Sequence, residues 1–375
     1  MLDKFGLVQE PIPLYNMHAT FWENLVEGPR NLTENEQNKL TSLNNETQEL
    51  KGQNGVDLKI KLFEKTIDSP VGLCAGPAYG YQWLNFYSNL GYDILTQKTV
   101  RGDYLEPHPL PNIVNIEGNW SDGFILSEKF TGSITNSFGI GSLAPKDWMK
   151  DLERMVKNLP QGKTFKISVI PHTSRKTLEE TINSFVELSL MVKQVGADGV
   201  EFDLSCPNFI ASEGMKGEIY QDAKFTLEIT EAVRNEVGND FPILLKVGYM
   251  KGYNKLVEEV GTIASGIVAI NAMPAPVHRK DGSYVFADRG NKAGVCGLAL
   301  LNMGLDAVRQ LVKIREANSS NFAIIGVGGI LNPEIAMKYL ELGADAIEIG
   351  TGAIYDPFLA LEIKKALLEK KVSES

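Results

Sequence analysis

From about residue 70 onward, short apolar runs alternate with longer amphipathic stretches. Eight of the runs have the length and bulk of buried strands: residues 72–75, 93–99, 165–170, 200–204, 243–247, 267–271, 323–327 and 346–350. Between them, residues 176–195, 222–237, 253–263, 300–316, 333–342 and 357–368 carry helical periodicity. In the first of these Leu178, Ile182, Phe185, Val186 and Val192 form one face, and Thr177 and Glu180 stand at capping-box spacing. Eight strands with intervening helices predict an α/β fold, a (β/α)8 TIM barrel. A doubly wound open sheet is the alternative, but no Gly-x-Gly-x-x-Gly follows the first strand to support it.

The pattern breaks in three places. Residues 1–54 read as an N-terminal extension: residues 12–15 and 19–26 are amphipathic enough to dock, and residues 31–46 are polar and acidic. The extension is expected to wrap the main domain or a subunit interface; it lacks the basic amphipathic face of a membrane anchor. The barrel is assigned to 55–370 and a tail to 371–375. Residues 57–63 alternate with period two, which predicts a hairpin strand able to plug the bottom of the barrel. Two long insertions, 101–135 and 273–297, follow the second and sixth strands. Both fall on the strands' C-terminal side, where barrel enzymes build their sites, and insertions of this length are usually lids or subdomains.

Composition narrows the function. A net charge of -10 argues against nucleic acid or an anionic membrane as the main partner. No apolar run approaches the roughly 20 residues that cross a bilayer, and the N-terminus lacks the basic and apolar regions of a secretory signal. The three cysteines, Cys74, Cys206 and Cys296, include no Cys-x-x-Cys pair. That excludes a disulfide framework, a zinc ribbon or a self-contained iron–sulfur cluster, and fits a reducing, cytoplasmic setting. The four histidines, His18, His108, His172 and His278, make no metal spacing.

Candidate chemistry gathers at strand ends. Cys206 follows the strand at 200–204, and Pro207 forces the chain out of the sheet there. Glycines end the last two strands, in Gly326-Val-Gly-Gly329 and Gly350-Thr-Gly352. Bare backbone at consecutive late strands suits a phosphate, whether of a flavin nucleotide, a phosphosugar or pyridoxal phosphate. Lys246 lies inside an apolar strand, where an unpaired charge is costly, so it is expected to face the barrel interior as a Schiff-base lysine or as a cation beside an anionic cofactor. Lys98 ends the second strand in the same way, and two lysines on one face are best explained by an anionic ligand. Asn136, Asn208 and Asn271 add a ring of amides suited to an amide-rich heterocycle.

In this order, Ser69–Pro77, Gln97-Lys-Thr99, Asn136-Ser-Phe-Gly139, Asp203-Leu-Ser-Cys-Pro-Asn208, Lys246-Val-Gly248, Ala269-Ile-Asn271, Lys292–Gly297, Gly326–Ile330 and Ile349-Gly-Thr351 resemble the dihydroorotate dehydrogenase family of FMN barrels. That family also takes in the flavin barrel of dihydropyrimidine dehydrogenase, and the resemblance covers residues 56–368. It implies FMN, with phosphate at Gly328, Gly329, Gly350 and Thr351, and further contacts from Ala75, Gly76, Lys98, Thr99, Asn136, Lys246 and Gly297. Lys246 would stabilise the negative charge of the reduced flavin. Cys206 matches the catalytic base of the soluble branch, and the membrane-bound, quinone-using branch has serine there. Substrate would be a small cyclic amide, dihydroorotate first, met by Lys98, Asn136, Phe138, Gly139, Ile140, Asp203, Asn208, Asn271 and Ala272. The thiolate would take a proton from one carbon while its neighbour passes hydride to the flavin. Activity is then expected to rise with pH, since an unperturbed thiol titrates near about 8.5.

The chain also departs from the family pattern at the substrate. Asp203 stands where the family has asparagine, Ala272 where it has serine or threonine, and residues 106–113 lack the usual arginine. An ionised aspartate only accepts hydrogen bonds and repels a substrate carboxylate. Either Asp203 is protonated or paired, or the substrate is another cyclic amide or enone; a non-catalytic flavin-binding protein is the further alternative. The sequence names no electron acceptor, and fumarate, NAD reached through an electron-transfer subunit, or another oxidant stay open. A homodimer is expected by analogy with other barrels of this kind.

Overall fold

The computed structural model describes residues 11–52, 55–172, 177–205 and 218–374. Eight parallel strands close into one barrel: β1 (Val71–Leu73), β2 (Ile94–Val100), β3 (Thr164–Val169), β4 (Gly199–Asp203), β5 (Ile243–Val247), β6 (Gly266–Ala269), β7 (Ala323–Val327) and β8 (Ala346–Ile349). Neighbours in the barrel are neighbours in sequence, and β8 pairs with β1 to remove both edges. Closure rules out the open sheet. The covering helices are α1 (Tyr81–Asn89), α2 (Pro145–Lys157), α3 (Leu178–Val195), α4 (Ala223–Val237), α5 (Asn254–Val260), α6 (Leu301–Asn318), α7 (Pro333–Glu341) and α8 (Leu359–Glu374). The capping box at Thr177 and Glu180 starts α3, as its spacing predicts. Residues 371–374, read from the sequence as a tail, continue α8.

Along each barrel strand alternate residues face inward, as the period of two requires. The lowest inward layer is apolar: Ile94, Leu244, Val268, Ile325 and Ala346 pack with Leu62 and Ile67. Those last two come from an antiparallel hairpin, Ile60–Leu62 with Lys65–Ile67, which plugs the bottom. The layer above it is charged.

The two insertions, more than a hundred residues apart in sequence, form one sheet over the top of the barrel. Its six strands run in the order Met273–Ala275, Ala293–Gly297, Ser133–Asn136, Ile113–Asn119, Gly123–Leu126, Val277–His278. Ile116, Phe124, Val277, Phe286 and Val295 give this sheet a small core of its own. The pairing of Ala293–Gly297 with Ser133–Asn136 sets Gly294 opposite Asn136.

The extension lies on the barrel's flank. Thr20 caps the helix Phe21–Glu27 with a full capping box, and the rings of Tyr15 and Phe21 stand 5.3 and 5.2 Å from that of Tyr79. The Trp83 indole donates to Asn24 O at 2.8 Å. A second helix, Glu34–Gly52, packs on α8 through ion pairs Lys39–Glu362 at 2.9 Å and Lys365–Glu46 at 2.6 Å. Those pairs are exposed and contribute little; the buried Leu43 and Thr47 hold this helix down. Among the described residues no helix is long and apolar enough to cross a membrane.

Candidate active site

A cavity of about 1210 Å³, counting its open mouth, lies between the C-terminal ends of the barrel strands and the six-stranded sheet. Every described residue that the sequence singles out for cofactor or substrate lines it, from Ala75, Gly76, Lys98 and Thr99 to Gly328, Gly329, Gly350 and Thr351. Cys206 and Asn208 lie outside the described residues. The described chain reaches the rim at Ser205, whose hydroxyl donates to Lys246 O at 3.3 Å.

One end of the cavity is bare backbone. Gly328 and Gly329 turn the chain after β7 at φ of 122° and 73°, values that L side chains rarely adopt. A Cβ on Gly329 would stand 2.9 Å from Leu301 Cα. The Tyr339 hydroxyl donates to Gly328 O at 2.7 Å and pins the turn. After β8, a Cβ on Gly350 would come within 3.0 Å of Cys74 Sγ, and one on Gly297 within 2.3 Å of Gly132 O. Side chains are thus excluded where a phosphate-bearing ligand needs close backbone approach. The residues present fit a flavin nucleotide: a glycine cradle at one end, Lys98 and Lys246 beside a broad apolar wall at the other.

The floor beneath is ionic. Lys246 is 4% exposed, and its ammonium group lies 3.8 Å from Glu201 Oε1. Glu201 also pairs with Lys166, and Lys166 reaches Glu348 at 2.9 Å. Burial alone would strip Lys246 of its proton, but the carboxylates of Glu201, Glu348 and Asp203, with the Cys74 thiol, outweigh it and raise its pKa. Burial pushes the Glu201 carboxyl up, yet the ammonium groups of Lys166 and Lys246 prevail and hold it below the usual range. Glu348 goes the other way, raised because burial prevails. The signal for all three lay in the sequence, in charges inside apolar strands, the same signal that marks Lys246.

The other end is built from side chains. Asp203, opposite Lys246 in the β4–β5 register, accepts from Asn271 Nδ2 at 3.0 Å and from Thr99 Oγ1 at 3.3 Å. Asn271 Oδ1 in turn accepts from Ala272 N at 2.8 Å, which sets the orientation of the amide. Burial raises the Asp203 pKa, and nearby Lys246 opposes that rise. Lys98 sits over the rings of Phe138 and Tyr79, 4.7 and 5.4 Å from their centroids. Asn136 Nδ2 points to Cys296 Sγ at 3.3 Å, a pocket thiol that burial pushes up to about 12.

Gly139 and Ile140 take φ of 69° and 53° in succession. For a β-branched residue this is strained, and such strain clusters at ligand sites. The turn is braced by buried Arg101, whose Nε donates to Ile140 O at 3.1 Å, and by His108 N donating to Phe138 O at 3.0 Å. The loop 106–113 is tied to the second insertion: Arg289 donates to Pro111 O at 2.8 Å and to Ser137 O at 3.1 Å.

A family model described as "Dihydroorotate dehydrogenase" matches residues 57–370. The chain is 27% identical over 382 residues to the dihydroorotate dehydrogenase of Dictyostelium discoideum, covering 93% of this chain and 96% of that one. It is 26% identical over 332 residues to the catalytic subunit of dihydroorotate dehydrogenase B (NAD(+)) of Thermodesulfovibrio yellowstonii, covering 84% and 96%. Among solved structures, a DHODH from Eimeria tenella in complex with ferulenol superposes with a TM-score of 0.66 at 16% identity, covering 93% of this chain and 97% of that one.

Proposed function

The chain belongs to the dihydroorotate dehydrogenase family of flavin-dependent oxidoreductases acting on CH–CH donors, and on that premise we propose that it binds FMN and oxidises dihydroorotate to orotate, with Cys206 as the base. The observation that carries the reading is the two-ended cavity. Bare glycine backbone after β7 and β8 lies at one end, and a ring of lysine, amide and carboxylate groups at the other. Bound there, the flavin supplies the chemistry that side chains lack, acceptance of a hydride. Gly328, Gly329, Gly350 and Thr351 hold its phosphate, while Ala75, Gly76, Thr99, Asn136 and Gly297 border the rest. Lys246 supplies a cation for the charge that reduction brings.

The chain's own part is orientation and proton removal. The strained turn at Phe138, Gly139 and Ile140 offers backbone N–H groups to a substrate carboxylate, and Lys98 adds a cation at the same end. Asn271, held by Asp203, presents its remaining N–H and lone pair to the ring amides, and Asn208 completes the set. Cys206 removes the proton as hydride leaves the neighbouring carbon. The electron acceptor is fumarate or another small oxidant, or an electron-transfer subunit as for a relative that is the catalytic subunit of an NAD(+)-linked enzyme, and the enzyme acts as a cytoplasmic homodimer.

Asp203 favours a second reading. A carboxylate whose two oxygens accept from Thr99 and Asn271 suits a ring that presents donors and carries no carboxylate, as another cyclic amide would. Anaerobic mixing of the purified holoprotein with dihydroorotate separates the two. Loss of the yellow absorption supports dihydroorotate. A flavin that stays oxidised with dihydroorotate, yet bleaches with dithionite, favours the other substrate. Protein that takes up no FMN sinks both.

A further inference from the structure

We propose that Lys166 and Glu201 are positioning residues that set the electrostatic potential Lys246 exerts on the bound cofactor. The inference rests on the flavin reading above and concerns the layer beneath it, which no residue of the expected site occupies except Lys246.

The layer is a line of alternating acidic and basic groups that crosses the barrel interior: Glu348, Lys166, Glu201, Lys246. Its links are 2.9 Å from Lys166 to Glu348, a direct contact from Lys166 to Glu201, and 3.8 Å from Glu201 to Lys246. None of the four is more than 4% exposed. Packing does not need them, since the layer below fills the same cross-section with Ile94, Leu244, Val268, Ile325 and Ala346. Replacing buried ion pairs by apolar side chains is often neutral or stabilising, so such a line is poor value as a structural device. Buried, mutually perturbing charges beside a cavity are instead a mark of function.

The unequal spacing says what the line does. The Glu201 carboxylate is held by Lys166 through Oε2, and its Oε1 is too far from Lys246 for a hydrogen bond. Among the described residues neither Glu201 Oε1 nor Glu348 Oε2 has a hydrogen-bond partner. Lys246 therefore keeps its proton without a full contact pair, and part of its field is left to act upward into the cavity it lines. Lys166 produces this condition by drawing Glu201 away from Lys246. Thr96, donating to Glu348 Oε1 at 3.4 Å, fixes the far end of the line.

The test is the affinity of the purified FMN-bound protein for sulfite. Sulfite adds to oxidised flavin and leaves negative charge on the ring, so its binding reads the local potential without turnover. Lys166→Met frees Glu201 to neutralise Lys246 and is expected to weaken sulfite binding about tenfold or more, the scale of one unit charge acting over several ångströms in a protein. Glu201→Gln removes the opposing charge and is expected to tighten it by a similar factor, while Lys166→Arg stays near the parent value. A structural role alone would move both variants in the same direction or neither, and either result with flavin still bound overturns the proposal. Should Lys166→Met lose its flavin, Glu201→Gln decides: tighter sulfite binding supports the proposal, and unchanged or weaker binding overturns it. Parent protein that takes up no FMN brings down the functional reading, and this inference with it.

Discussion

The two ends of the cavity are built on different principles. At the glycine end bare backbone lines the cavity, and a side chain at Gly328, Gly329 or Gly350 would be strained or crowded. At the opposite end Thr99 and Asn271 both donate to Asp203, and Lys98 stands over the ring of Phe138. A backbone cradle tolerates little change and recognises a phosphate whatever chemistry follows. A side-chain network can be rewired by a single atom, as exchange of a carboxylate oxygen for an amide nitrogen at Asp203 would do.

Substitutions at the two ends should separate accordingly. The largest effect is expected from Cys206→Ala, which removes the proposed base. Reduction of the flavin by dihydroorotate should slow by about two to four orders of magnitude, the usual share of general base catalysis, with FMN still bound. Stopped-flow traces at parent speed would show that proton removal lies elsewhere. Next comes Gly329→Ala at the cofactor end. The added Cβ meets Leu301 at a positive φ, so FMN affinity should fall by roughly tenfold or more, the cost of a strained residue of this kind. Titration of the apoprotein measures it, and an unchanged affinity would place the phosphate elsewhere.

The smallest effect, and the most informative about substrate, belongs to Asp203→Asn. Burial raises the Asp203 pKa, so as pH falls through that value the group becomes neutral and stops repelling an anion. Orotate binding should tighten toward acid and weaken toward alkali, while proton removal by a Cys206 thiolate strengthens in the opposite direction. The asparagine variant should bind orotate about tenfold more tightly at alkaline pH, as a repaired polar mismatch allows, and lose the pH dependence of binding only. Flavin difference spectra across the pH range give both quantities. Weaker orotate binding by the variant would show that the carboxylate belongs to the recognition of a different ring.

Much of this was legible in the chain. The eight strands were visible because buried parallel strands are short apolar runs, and α3 because Thr177 and Glu180 form its capping box locally. The pocket glycines and Lys246 could be read singly. The six-stranded sheet could not. Each insertion pairs strands within itself, but Ser133–Asn136 and Ala293–Gly297 join the two across a long sequence separation. Lys166, Glu201 and Glu348 each break an apolar run, but nothing local says which charges face one another. Only closure of the barrel brings β3, β4, β5 and β8 around one axis.

Sequence by itself determined the barrel, the family and the residue types at the cavity wall, because local periodicity and motif order need no knowledge of contacts. Tertiary structure alone decided that Asp203 takes hydrogen bonds from Thr99 and Asn271, that Arg289 ties the loop 106–113 to the second insertion, and that Lys246 stands at the end of a buried line of charge. Electrostatic character depends on distance through space and on exclusion of water, and both arise only when the strands close.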